Sequence, residues 1–191
     1  MCCHSASLFA FLFQSIAVLS YFVATSGAGA PPIERLVEIT EFAQDSKATL
    51  LSAVIAARAE CPSGTPLRAG ISQHHPTHAF EILFLAEDRK RVIRVEIDVT
   101  CGDAFGVDEV PMTPKEIAGL IGFARNRPDR LEAALKRASN LKQGTCIGAE
   151  LCDRKNGPPI VAVTLLTATG FRDLLIDPTN DEPVELVYRT N

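Results

Sequence analysis

Apolar residues along this chain keep two rhythms, and each rhythm occurs twice. From Ile33 onward, apolar residues fall at 33, 36, 37, 39 and 42, with charges on the other side. That spacing predicts an amphipathic helix. Asp45-Ser46 reads as a helix cap, and a second helix follows over about Lys47 to Glu60, its faces marked by Leu50, Leu51, Val54, Ile55 and Arg58. Cys61-Pro62-Ser63-Gly64 stops it, because Pro and Gly do not extend a helix cheaply. The rhythm then changes to period two. Leu67, Ala69 and Ile71 alternate with Arg68 and Gly70, and Phe80, Ile82 and Phe84 form a second run. In the third run Ile93, Val95 and Ile97 alternate with Val92, Arg94, Glu96 and Asp98. Such alternation predicts three strands with one buried face.

The second half repeats this plan. Thr113-Pro114-Lys115-Glu116 predicts a helix start, with Thr as cap, Pro in the first turn and Glu reaching back to the cap. Ile117, Leu120, Ile121 and Phe123 continue that helix. Pro128-Asp129 opens the next, with Leu131, Ala134, Leu135 and Ala138 on one face. Three strands follow, marked by Ile147, Ala149 and Leu151, by Val161, Val163 and Leu165, and by Phe171 and Leu174 to Ile176. Matches recur about 80 residues apart, as an internal repeat requires: Leu51 with Leu131, Ala53 with Ala133, Gly64-Thr65 with Gly144-Thr145, Ala69 with Ala149. Asp98 and Asp177 also match, and an Asp before a turn accepts backbone N–H groups there. The expected fold is α+β, with two repeated units over residues 31–110 and 113–191, each placing helices on a three-stranded antiparallel meander.

Residues 1–28 stand outside this plan. Leu8 to Ala24 is apolar except for Gln14, Ser15, Ser20 and Tyr21, and small residues follow to Ala30. The pattern predicts a signal peptide and so a periplasmic or secreted protein. Uncleaved, the segment would be the chain's sole link to a membrane. The first 30 residues carry no Asp, Glu, Lys or Arg, so the net charge of −4 belongs to the remainder. An acidic chain with no basic cluster argues against nucleic acid and anionic lipid as partners. Cys61, Cys101, Cys146 and Cys152 would survive cleavage, and an even cysteine count in an exported protein suggests disulfides. Cys61 and Cys101 lie a strand length apart, roughly 17–20 Å. Cys146 and Cys152 flank one strand. The expected bridge therefore joins Cys61 or Cys101 to Cys146 or Cys152, across the two halves.

The order of main helix, Gly-Thr, three alternating strands and Ile-Asp-x-Thr resembles the PepSY domain family. The first copy carries it on Leu51, Ala53, Gly64, Phe80, Ile82, Asp98, Thr100 and Gly102, the second on Leu131, Ala133, Gly144, Val161, Val163, Asp177 and Thr179. Cys101 intervenes between Thr100 and Gly102, and the second copy lacks the aromatic of the second strand. The resemblance implies a PepSY/cystatin-like layout in a tandem, and an exported module that binds a protein or peptide, with a protease as a candidate partner and inhibition or regulation as its role.

Chemistry-bearing patterns are few. No hydrolase elbow, zinc-protease helix or phosphate-binding glycine loop occurs, so a non-enzymatic protein is expected. His74-His75-Pro76-Thr77-His78 places three imidazoles in the first hairpin, a candidate ligand set for Zn or Cu. No other cofactor is implied. The alternative to a binding or inhibitory module is therefore a metal-binding envelope protein using His74, His75 and His78.

Overall fold

The computed structural model describes residues 33–72, 74–75, 78–124, 129–152, 160–177 and 183–188. The expected signal peptide lies outside them. Four helices and eight strands follow in the order α1 (Ile33–Asp45), α2 (Leu50–Glu60), β1 (Thr65–Ile71), β2 (Ala79–Leu85), β3 (Val92–Asp98), β4 (Ala104–Val110), α3 (Pro114–Ala124), α4 (Arg130–Asn140), β5 (Thr145–Cys152), β6 (Ile160–Thr167), β7 (Gly170–Ile176) and β8 (Pro183–Tyr188). Among the described residues, no helix is long and apolar enough to cross a membrane.

Each half thus has two helices and four strands, where the sequence pattern predicts three. The fourth strand in each half escapes the pattern for a local reason. β4 opposes β3 through a bulge between Glu96 and Ile97, which breaks its alternation, and β8 begins at a proline. The two meanders also do not form separate sheets. β1 pairs antiparallel with β5 through Arg68↔Glu150, Ala69↔Ala149 and Gly70↔Gly148. The result is one eight-stranded antiparallel sheet in the order β4-β3-β2-β1-β5-β6-β7-β8.

Helices cover the face that carries Phe80, Ile82, Phe84, Val95 and Ile97. Phe42 of α1 meets Phe80 edge-on, with ring centroids 5.2 Å apart. Leu50, Ala53, Val54 and Ala57 of α2 and Leu131, Ala134, Leu135 and Ala138 of α4 are buried in one core cluster with residues of both halves. Removing each large side chain of this cluster from water is worth about 1.5–3 kcal/mol. α3 packs on β1 and β2 of the other half, and α1 shares a groove with Thr145 and the β6–β7 turn. Arg58 of α2 donates to Glu132 of α4 at 2.5 Å, a partly buried pair that ties the two main helices together.

The caps follow the sequence in one case and shift in the other. Glu116 accepts from the backbone N–H of Thr113 at 2.7 Å and from its hydroxyl at 2.8 Å, and these bonds hold its carboxyl below the ordinary range. α2 is capped by Thr49 with Ser52, not by Asp45-Ser46. Ser46 instead closes α1, its hydroxyl donating to the Phe42 carbonyl at 2.6 Å.

The repeated Gly-Thr now has a steric explanation. A Cβ on Gly144 would stand 2.5 Å from the Leu166 backbone oxygen, and one on Gly64 would stand 2.4 Å from the Cys61 sulfur. In both halves the turn from main helix to first strand passes too close to its neighbours for a side chain. A thiol can swing away, whereas a sheet carbonyl cannot. Gly144→Ala should therefore lower stability by ~1–3 kcal/mol, and Gly64→Ala should cost less. Urea midpoints at unchanged m-value check both.

Candidate functional site

The sheet face away from Phe80, Ile82 and Phe84 carries charge in its first half. Period-two alternation puts Arg68 of β1, Glu81 of β2, Arg94 and Glu96 of β3 and Asp108 of β4 on that face. Register then brings them together. Glu81 lies directly opposite Glu96, and Arg94 opposite Asp108. Both glutamates are buried, Glu81 at 8% and Glu96 at 5% exposure.

The two carboxylates are treated differently by their surroundings. Glu96 accepts from the Ser72 hydroxyl at 2.5 Å and lies 3.9 Å from Nε2 of His75. Ser72 in turn accepts the backbone N–H groups of His74 and His75, each at 3.1 Å, so the histidine turn is pinned above Glu96. Glu81 makes no hydrogen bond to any described residue. Desolvation raises its pKa, Arg68, Arg94 and His74 oppose that rise, and Glu96 adds to it. Arg94 donates one Nη to Nε2 of His74 and the other to Asp108 at 3.2 Å. Phe105 of β4 stands 53% exposed, with its ring centroid 5.6 Å from that of His75.

The second half supplies an internal comparison. Matching the pairings about Ala69 and Ala149 equates Glu81 with Ala162 and Glu96 with Leu175, a directly opposed pair on β6 and β7. Arg94 corresponds to Asp173, and Gly106 to Glu185. The fold therefore accepts an apolar pair where the first half buries two carboxylates. Like charges directly opposite each other destabilise a sheet, so Glu81 and Glu96 are a cost that the architecture does not require.

The three predicted imidazoles have different neighbours. His74 faces Arg94, His75 lies between Glu96 and Phe105, and exposed His78 donates its backbone N–H to the His75 carbonyl at 3.1 Å. Among the described residues, no three His, Cys, Asp or Glu side chains converge on a metal position. Pro76 and Thr77 lie outside the described residues.

The expected inter-half disulfide is corrected. Cys61, Cys101, Cys146 and Cys152 are all free thiols. Strands β1 and β2 separate Cys101, in the β3–β4 turn, from Cys146 on β5, a gap of roughly 14 Å at normal strand spacing. The β5 bulge at Ile147 turns Cys146 to the helix side, and Cys152 lies on the side of Glu150 and Asp173. Burial raises the thiol pKa of Cys61 and Cys146, and that of Cys152 to about 11, helped by Glu150 and Asp173. Such thiols are poor nucleophiles at neutral pH. Asp98 fills its expected turn role, accepting from the Thr100 N–H at 2.6 Å and hydroxyl at 2.5 Å. Asp177 is buried, and its backbone carbonyl accepts from Arg137 at 3.2 Å.

The sequence reading singled out the histidines and missed Glu81, Glu96, Arg94, Asp108 and Phe105. In the sequence each is an ordinary polar or isolated position. The signal that could have found them is the second copy, where Ala162 and Leu175 replace the two acids.

A raised Glu81 pKa has a defined effect on stability. The native state holds its proton to higher pH than the unfolded chain does, so stability falls as pH rises from the ordinary Glu value through the raised one. Glu81→Gln should remove this component. The variant should gain stability over the parent at pH 8 relative to pH 4, as read from urea unfolding across pH. Parallel pH profiles would show that Glu81 is not the group responsible.

No family model matches the chain, and no curated protein matches it. One solved chain, described as a "putative lipoprotein" from Clostridium difficile 630, is similar at a TM-score of 0.48 and 10% identity, over 76% of this chain and 96% of that chain. A likeness of this size transfers neither a fold family nor a function.

Proposed function

We propose that this is an exported, non-enzymatic binding protein, built from two PepSY-like units, that receives an extended protein segment along the outer edge of β4. One observation carries the reading. β4 is a seven-residue edge strand, paired only with β3 among the described strands, and it holds Phe105 and Val107 at 53% and 51% exposure. An exposed edge with apolar side chains is a template for strand addition, in which main-chain hydrogen bonds give affinity and alternate side chains give selectivity. The PepSY resemblance supports the same class, a module that binds or inhibits a peptidase. The export reading rests on the apolar segment of residues 8–24.

Panning a random peptide library on the chain lacking residues 1–28 should return extended peptides. Their binding should slow amide exchange over Ala104–Val110. Val107→Lys should weaken them at least ~tenfold, since charge on an edge blocks strand pairing, with the urea midpoint unchanged. Protection confined to other strands, or no binders at all, would overturn the proposal.

A further inference from the structure

Strand addition on β4 leaves open what chemistry selects the partner, and the buried glutamates beside that edge supply it. We infer that the carboxylates of Glu81 and Glu96 form a recognition pocket for one basic side chain, lysine or arginine, of the segment added outside β4. This rests on the edge reading above. Glu81, nine-tenths buried, makes no hydrogen bond to a described residue, and Arg68, Arg94 and His74 act on its carboxylate only through their charge. Burial disfavours its charged form, and Glu96 opposite adds to that, so a further cationic side chain is favoured beside the pair. A divalent ion fits less well, because among the described residues no third ligand converges.

Gly106 makes the pocket reachable from the edge. It lies opposite Glu96 on β4, and a Cβ there would already stand 3.2 Å from Oε2 of Glu96. The missing side chain leaves a gap in the edge strand on the charged face. A strand added outside β4 would lie about 10 Å from β3, two strand spacings away. The four-carbon stem of a lysine, roughly 6 Å long, crosses the gap and brings the ammonium to the Glu96 carboxylate beside Gly106, while Glu81, one strand further in and directly opposite Glu96, adds its charge behind it. The half-exposed Phe105 ring beside His75 gives the cation an aromatic wall. The second half carries no such acid pair: its equivalents of Glu96 and Glu81 are Leu175 and Ala162, and Glu185 stands at the position matching Gly106.

The test uses the panned peptides. Binders should share a Lys or Arg at one position, and replacing it with norleucine should weaken binding ~10–100-fold. The Glu81→Gln/Glu96→Gln double variant should bind the lysine and norleucine peptides equally. Gly106→Val should block the lysine peptide and spare the norleucine one. Peptides that protect β4 but show no basic preference would overturn the pocket and leave the edge reading standing. A library that yields no binder overturns both. The peptide substitution is read on the unaltered protein, so a variant that failed to fold would not rescue the idea.

Discussion

The whole molecule hangs on three residue pairs between β1 and β5. Among the described residues, Arg68↔Glu150, Ala69↔Ala149 and Gly70↔Gly148 are the rungs that join the two meanders into one sheet. Their register is symmetric. Ala69 and Ala149 are repeat equivalents and face each other, so a pseudo-two-fold axis passes between them. Small residues sit at the axis on both strands. That single contact sets the strand order, puts both main helices on one face, and lets Arg58 reach Glu132. It also sends β4 and β8 to the outside, where they become edges.

Seen from that axis, the two halves are one frame with two linings. The helix-facing side is conserved in character: Phe80, Ile82 and Phe84 have Val161, Val163 and Leu165 as counterparts, and all are buried. The opposite side diverges. One half buries two acids under a histidine turn, with Ser72 holding the turn to Glu96, while the other closes the same positions with Ala162 and Leu175 and pairs Thr164 with Asp173 at 2.8 Å. Residues that build the frame repeat, and residues that differ carry the charge.

Much of the frame was legible in the sequence because burial on one face writes a period into the chain. Leu67 to Ile71 and Val161 to Leu165 could be read as strands without a partner in view. The Thr113–Glu116 cap was legible because it is entirely local. β4 was not: it is exposed along much of both sides, and a bulge interrupts its alternation. Glu81 and Glu96 were hidden for a different reason. Each is the polar member of an alternating run and reads as a solvent position. Only the β2–β3 register sets them face to face. The three imidazoles were visible as a cluster, but sequence proximity does not fix which neighbours the rings meet, and here His74 meets Arg94 while His75 meets Glu96 and Phe105. The disulfide expectation failed because it assumed two sheets, whose ends the actual shared sheet keeps apart.

The symmetric register of β1 and β5 also bears on origin. Half of this chain, on its own, would leave β1 as a bare edge whose residues around Ala69 are complementary to themselves. The contact that β1 and β5 make about Ala69 and Ala149 has the isologous geometry of a two-fold dimer interface. Joining the two halves in tandem fixes that geometry in one polypeptide and releases each copy from having to match the other. A homodimer must carry every surface twice. The fused chain is free to bury two acids in one half and to set Ala162 and Leu175 at the matching positions of the other.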